Sequence, residues 1–302
     1  MKESALEQLL DSLDKVDLAD EEMYELFSQE PPSGNLGFLD PKARTLEITV
    51  AGHDLTIHQS PTALSSNRAG GTTGAVLWKI TPVFAEWMSR PDNLFFANGV
   101  LSSQSAVIEL GCGIAALNGL VLALKVCRYV LTDQTYVAKL VEQNIAENHD
   151  IWSGKPANGT RGSKTHARKT KGTVHELPQS SLVFRELDWE TDAVDPSLTG
   201  GDPLRSFDSI IACDCIYNEA LIEPFVQTCA DICRLRVADH PDMPPTLCIV
   251  GQQLRDADVF EAFMNRFSRD FDIWRVPDPR LVDGLRSNSG FVVHVGRLKY
   301  SS

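Results

Sequence analysis

Two periods of apolar and polar positions alternate along the 302-residue chain. Short runs rich in valine, isoleucine and leucine are each followed by a longer stretch whose apolar residues recur every three or four positions. Runs of the first kind predict strands and stretches of the second predict helices, so their alternation predicts an α/β sheet. Val107 to Leu110 is a strand, with Ile114 to Lys125 as its helix. Val126 to Thr132 ends at Asp133, and the helix over 135–148 places Val137, Leu140, Val141 and Ile145 on one face. Leu182 to Leu187 ends at Asp188-Trp189, and Phe207 to Cys213 runs into Asp214-Cys215-Ile216-Tyr217. A helix over 219–237, a strand over 246–250 and a helix over 256–268 follow. Phe271 to Val276 and Phe291 to Leu298 have no helix between them. Parallel strands need long crossovers, so this last pair is expected to be an antiparallel edge hairpin. The sum is a seven-stranded, mostly parallel sheet.

The first third of the chain has a different texture. Leu6, Leu9, Leu10, Leu13, Met23, Leu26 and Phe27 stand among acids at mixed helical spacing, which predicts a short amphipathic helix or two. Thr45 to Val50 and Leu55 to Gln59 alternate on either side of Ala51-Gly52-His53-Asp54 and predict a hairpin. Gly70, Gly71 and Gly74 lie in a polar stretch over 65–74, suited either to a plain linker or to a loop that approaches a ligand closely. Helical spacing resumes at Val76, with Pro82 placing the helix start near Thr81. The expected division is an acidic helix-and-hairpin extension over 1–70 and a ligand-binding domain over 71–302.

Charge changes this picture in two places. Residues 1–30 hold ten acids against Lys2 and Lys15, so they supply most of the net charge of −13. The mildly acidic remainder argues against a general polyanion-binding surface. Residues 151–175 carry Lys155, Arg161, Lys164, Arg168, Lys169 and Lys171 with no acid. This basic insertion, taken as 151–180, is either a solvated loop or an electrostatic foot for RNA or an acidic partner. No apolar run has the roughly 18 residues of a membrane span, and the acidic N-terminal residues lack the basic and apolar regions of a signal peptide. A cytoplasmic or nuclear location is therefore expected. The seven cysteines form no pair of CxxC knuckles, which predicts free, mostly buried thiols and no metal site.

The chemistry collects at predicted strand ends. Glu109-Leu110-Gly111-Cys112-Gly113 is a strand–glycine loop–helix unit, a place where a nucleotide-type ligand meets a helix start. With Ala116 it satisfies the relaxed dinucleotide fingerprint, and it equally satisfies the looser GxG loop for S-adenosylmethionine. Asp133, twenty residues past Gly113, can accept ribose hydroxyls of either ligand. Asp188-Trp189 adds a flat ring beside a carboxylate, suited to adenine. Asp214 and Tyr217 put an acid and an aromatic where an accepting group would lie. No Tyr-x-x-x-Lys pair is placed to polarise a carbonyl for hydride transfer. These features favour the methyl donor.

Taken together, Thr73 to Trp78, Glu109 to Gly113, Asp133, Leu187 to Trp189 and Asp214 to Tyr217 resemble the seven-strand protein lysine methyltransferases of family 16, over about residues 25–298. Gly37 to Asp40, Ile57 to Pro61 and Gly70 to Lys79 look most like that family's fungal branch acting on ribosomal proteins. The resemblance implies a Rossmann-like class I methyltransferase fold and S-adenosylmethionine as donor. It implies that Trp78, Gly111, Cys112, Gly113, Asp133, Trp189 and the backbone at Cys213 hold the donor; within such a pocket Glu109 and the backbone of Gly111 and Gly113 are expected to face the donor's methionine end. Asp214 would then orient the lysine amine, with Tyr217 and Trp78 walling an apolar channel. The implied substrate is a large-subunit ribosomal protein of the L1 type. Two departures are Ala115 for the loop's third glycine and Cys213 for the small residue before the DxxY acid, both small. Base methylation is disfavoured because Cys215 and Ile216 stand where that class has two prolines. A donor-binding scaffold without catalysis stays open.

Overall fold

Between Ser4 and Phe27 the chain makes a helix α1 (Ala5–Asp11), a three-residue strand β1 (Asp14–Val16) and a helix α2 (Ala19–Phe27) in the computed structural model. The structure describes residues 4–28, 37–66, 71–152, 182–201, 204–239 and 242–299. All of the basic insertion except Ile151 and Trp152 lies outside them, and so does any contact it makes with RNA. Ser4 and Glu7 close a reciprocal capping box at the start of α1. The hairpin follows as β2 (Thr45–Val50) and β3 (His53–His58), joined at Ala51 and Gly52. Both turn residues have positive φ, 54° and 76°, as a twist-matched two-residue turn requires. Next come α3 (Pro61–Leu64), α4 (Ile80–Ser89) and α5 (Leu94–Ala97), with Pro82 in the first turn of α4, where its missing N–H is harmless.

The nucleotide-type half comprises β4 (Ala106–Leu110), α6 (Leu117–Leu122), β5 (Arg128–Asp133), α7 (Ala138–Glu147), β6 (Leu182–Glu186), β7 (Ser209–Cys213), α8 (Ile222–Asp239), β8 (Leu247–Gln253), α9 (Ala257–Asp270), β9 (Phe271–Arg275) and β10 (Phe291–Leu298). The sheet order is β1-β9-β10-β8-β7-β4-β5-β6. Strands β4 to β8 are parallel, and β10, β9 and β1 are antiparallel. The expected α/β sheet is therefore present, with one correction: it has eight strands, not seven. Asp14, Lys15 and Val16 pair with Arg275, Trp274 and Ile273 and take the outer edge beyond β9. A three-residue edge strand has too few positions to display a period, so it is invisible to pattern.

Alternation along each parallel strand sorts the core into two layers. Val107, Tyr129, Leu131, Ile211 and Ile249 join Phe84, Leu120 and Val141 under α4, α6 and α7. Ile108, Val130, Ile210 and Val250 join Phe225, Phe263 and Leu26 under α8, α9 and α2. Both faces are covered, so these strands read as nearly continuous apolar runs. The N-terminal residues serve both layers, α1 packing in the first and α2 in the second. The β2–β3 hairpin belongs to the first layer, held by two asparagines of α7 and its end. Asn144 and Asn148 each exchange paired hydrogen bonds with the backbone of β3, at His58 and Thr56, at 2.8–2.9 Å. Asn144 also donates to the Ile114 carbonyl, which ties the hairpin to the glycine loop. Among the described residues no helix is long and apolar enough to cross a membrane.

Candidate active site

Strands β4, β5 and β6 run outward in one direction from β4, while β7 lies on its other side. The sheet thus has a switch point between β4 and β7, where a crevice opens at the strand carboxyl ends. A cleft occupies it, and its walls come from the ends of all four strands together with residues 73–81. All ten residues singled out from the sequence line it: Trp78, Glu109, Gly111, Cys112, Gly113, Asp133, Trp189, Cys213, Asp214 and Tyr217.

The floor is the glycine loop. Gly111 and Gly113 have φ of 67° and 58°, a left-handed conformation that strains residues with a Cβ. Space restricts them as well. A Cβ on Gly111 would lie 2.8 Å from Cys215 Sγ and 3.3 Å from the Trp189 ring, and one on Gly113 would lie 3.3 Å from the Gly74 carbonyl. That carbonyl accepts the Ile114 N–H, so residues 73–75 form part of the loop's wall. Asp133 accepts the Gly113 N–H at 2.8 Å and the Gln134 N–H at 2.7 Å, which aims its carboxylate along the loop.

Beneath the floor Glu109 is buried, with Asn118 donating to one oxygen and the Tyr129 hydroxyl to the other, both at 2.8 Å. Burial pushes its carboxyl up to about 7, against these two hydrogen bonds. Trp189 closes the far wall, edge-on to Phe225, with its Nε1 buried and without a hydrogen-bond partner among the described residues. Glycines where a Cβ would be both strained and crowded, an Asp133 aimed along the loop and the Trp189 ring against Gly111 fit an adenosine-type donor.

The mouth is built around Asp214. It has φ of 61°, donates its N–H to the Gly251 carbonyl, and its side chain has no exposed surface. Its carboxylate is saturated. Arg255 donates from two nitrogens at 2.7 and 2.9 Å, and Gln253 donates from Nε2 at 2.6 Å and from its backbone N–H at 3.4 Å. Burial pushes the Asp214 carboxyl up to about 6, with Arg255 opposing. Asp214 does not cap the following helix: Asn218 caps the turn before α8, accepting the Ala220 N–H. Tyr217 hydrogen-bonds Thr73 across the mouth, and burial raises its phenol. Burial also raises the thiols of Cys112, Cys213 and Cys215 well above their usual range, so they stand as neutral wall atoms.

Trp78 joins mouth and floor. Its Nε1 donates to the Thr73 carbonyl, Phe38 packs on it with ring centres 4.3 Å apart, and the Arg255 guanidinium lies 4.5 Å from its ring centre. Arg255 and Gln253 escaped the sequence reading because β8 was expected to stop at Val250. It runs three residues further, and the rule that ligands sit at strand ends, applied to that true end, would have pointed to them. Gln134, Tyr136 and Thr81 also line the cleft without an earlier signal.

A family model described as lysine methyltransferase matches residues 58–157 and 168–258. The chain is similar to ribosomal lysine N-methyltransferase 5 of Zygosaccharomyces rouxii, 33% identical over 248 residues that cover 76% of each protein. It is also similar to the protein of that name from Vanderwaltozyma polyspora, at 27% identity over 73% of this chain and 75% of that one. A diaminohydroxyphosphoribosylamino-pyrimidine deaminase of Schizosaccharomyces pombe is 26% identical over 88% of this chain but only 54% of its own length. Among solved structures, the N-methyltransferase NodS of Bradyrhizobium japonicum in complex with S-adenosyl-L-homocysteine aligns over 72% of this chain and 88% of that one, with TM-score 0.41 and 12% identity.

Proposed function

The chain belongs to the lysine methyltransferase family, and from that premise we propose that it methylates a lysine of a large-subunit ribosomal protein, of the L1 type, in the cytoplasm. It is an S-adenosylmethionine-dependent protein methyltransferase. The observation that carries the proposal is the single cleft in which the glycine loop, Asp133, Trp189, Asp214 and Tyr217 converge. The ribosomal substrate is the one named for the relatives from Zygosaccharomyces rouxii and Vanderwaltozyma polyspora.

When bound, the donor supplies an electrophilic methyl group on a sulfonium; the protein's part is to hold, orient and desolvate. In this proposal Gly111, Cys112 and Gly113 hold the donor through their backbone, Asp133 accepts its ribose hydroxyls, and Trp78, Trp189 and the Cys213 backbone enclose it. Glu109 supports the floor from beneath, since both its oxygens are already bonded. A lysine amine has an ordinary pKa of about 10.4 and must lose its proton before it can attack. Tyr217 is a phenol near neutral pH and walls the channel without acting as a base. Asp214 is ionised there and orients the amine, which must share or replace one of the four donors now on that carboxylate. Solvent takes the proton. Most of the acceleration then comes from alignment in a water-poor channel.

The test is transfer of radiolabel from the methyl donor into an extract of cells lacking this chain. Label on a large-subunit ribosomal protein is the expected outcome. Label confined to RNA, or none, would overturn the proposal and in the second case favour a scaffold.

A further inference from the structure

The donors on Asp214 come from outside the cleft-lining residues, and they connect three parts of the chain. Arg255, just past the end of β8, grips both carboxylate oxygens while its guanidinium rests on the Trp78 ring. Gln253 donates its side-chain N–H to Asp214 and accepts the Gly37 N–H at 2.6 Å through the other end of the same amide. Residues 37–39 in turn pair with 77–79 through a Phe38–Trp78 bridge and two further backbone hydrogen bonds. One guanidinium and one amide thus span the acid of the mouth, the aromatic wall of the pocket and the strap that leads in from the N-terminal helices.

We propose that Arg255 and Gln253 are positioning residues for the transfer, fixing Asp214 as an oriented anion and locking Trp78 and the 37–39 strap to it. The inference rests on the methyltransferase reading above. A bidentate guanidinium sets the plane of a carboxylate as well as its charge, which a lysine at 255 would not do. The amide of Gln253 has its donor and acceptor ends both used, so its orientation is set by its partners. Among the described residues, the ionisable groups that interact with Asp214 are Arg255 from β8's exit and the Cys213 and Cys215 thiols of its own segment, with the Tyr217 phenol three residues on interacting with Arg255. Burial keeps the last three neutral near neutral pH. Arg255 is therefore the charge that keeps Asp214 ionised.

The experiment compares wild type with Arg255→Gln and Arg255→Lys, using labelled methyl donor and large-subunit ribosomal protein. A parallel readout is carbon NMR of the aspartate carboxyls, with Asp214→Asn identifying the resonance. The expected result for Arg255→Gln is a lower kcat, with the acid limb of kcat/KM and the Asp214 resonance both moved up by about one pH unit or more. Arg255→Lys should keep the limb near its place while kcat stays low, because charge is restored and the fork is not. Circular dichroism identifies a variant that fails to fold, and the lysine variant then decides. Wild-type kcat and an unmoved limb in folded Arg255→Gln would overturn the inference alone. Failure of wild type to label any protein, with the Asp214 resonance still moved, would overturn the methyltransferase reading on which it rests.

Discussion

Two buried carboxylates organise different elements of this molecule, and each has an arginine and one further side chain as partners. Asp214 stands at the cleft mouth with Arg255 and Gln253. Glu22 lies on α2, with the His294 ring nitrogen 2.8 Å from one oxygen and Arg275 3.2 Å from the other. Burial opposes ionisation at both, but the outcomes have opposite sign. At Asp214 burial wins and the carboxyl sits at about 6 despite its arginine. At Glu22 the hydrogen bond and charge of His294, with Arg275, outweigh burial and hold the carboxyl below its usual value. One region keeps a carboxylate near the pH at which it changes charge, and the other has committed its carboxylate to the anion. Poised groups of the first kind collect at functional sites, and committed ones hold structure together. The contrast is what the proposed role of Asp214 at β7's end requires, with Glu22 fastening the N-terminal helices, although both clusters look alike as ion pairs.

The largest effect should come from the mouth. Asp214→Asn removes the oriented charge but keeps its shape, and turnover should fall about 100-fold, the scale expected when a reacting group is misplaced. Donor affinity, read by calorimetry, should hold within a few-fold, because the floor residues are untouched. Unchanged turnover would erase the functional half of the comparison.

Breaking the other cluster should cost stability and spare chemistry. Glu22→Ala leaves His294 and Arg275 without their shared carboxylate, and breaking such a buried pair destabilises by about 3 kcal/mol, with Tm lower by several degrees. Turnover per folded molecule below the melting range should match wild type. Since the folded-state carboxyl of Glu22 lies below its usual value, its stabilising contribution is present above that value and is lost as pH falls through the depressed one. Acid should therefore silence turnover first, through Asp214 near 6, and loosen the N-terminal helices only lower down. Paired activity and circular-dichroism titrations check that order, and coincident midpoints would contradict it.

Much of this site was legible in the sequence because its chemistry stands where strands end. Asp133, Trp189, Asp214 and Tyr217 each follow an apolar run, and a parallel sheet brings such ends to one side whatever the loops do. Gly111 and Gly113 were legible for the same reason, as the turn between strand and helix. Arg255 and Gln253 were not, because Gly251-Gln252-Gln253 looks like a polar turn. The ladder to β10 keeps those residues in the sheet, and pairing with a distant strand leaves no local mark. The strand β1 was hidden likewise: Asp14, Lys15 and Val16 show no alternation, and only the exposed edge of β9 makes them a strand. The saturation of Asp214 is a fact of packing, and nothing in the spacing of Asp214 and Tyr217 announces it.

In the proposed reaction this cleft delivers a methyl group to a ribosomal-protein lysine under the direction of Asp214. Its most direct test is mass spectrometry of large-subunit ribosomal proteins incubated with a trideuteromethyl donor and either wild type or Asp214→Asn. The expected result is a trideuteromethyl gain on one lysine with wild type, reduced to trace with the variant. Equal gain with both proteins, or gain with neither, would contradict it.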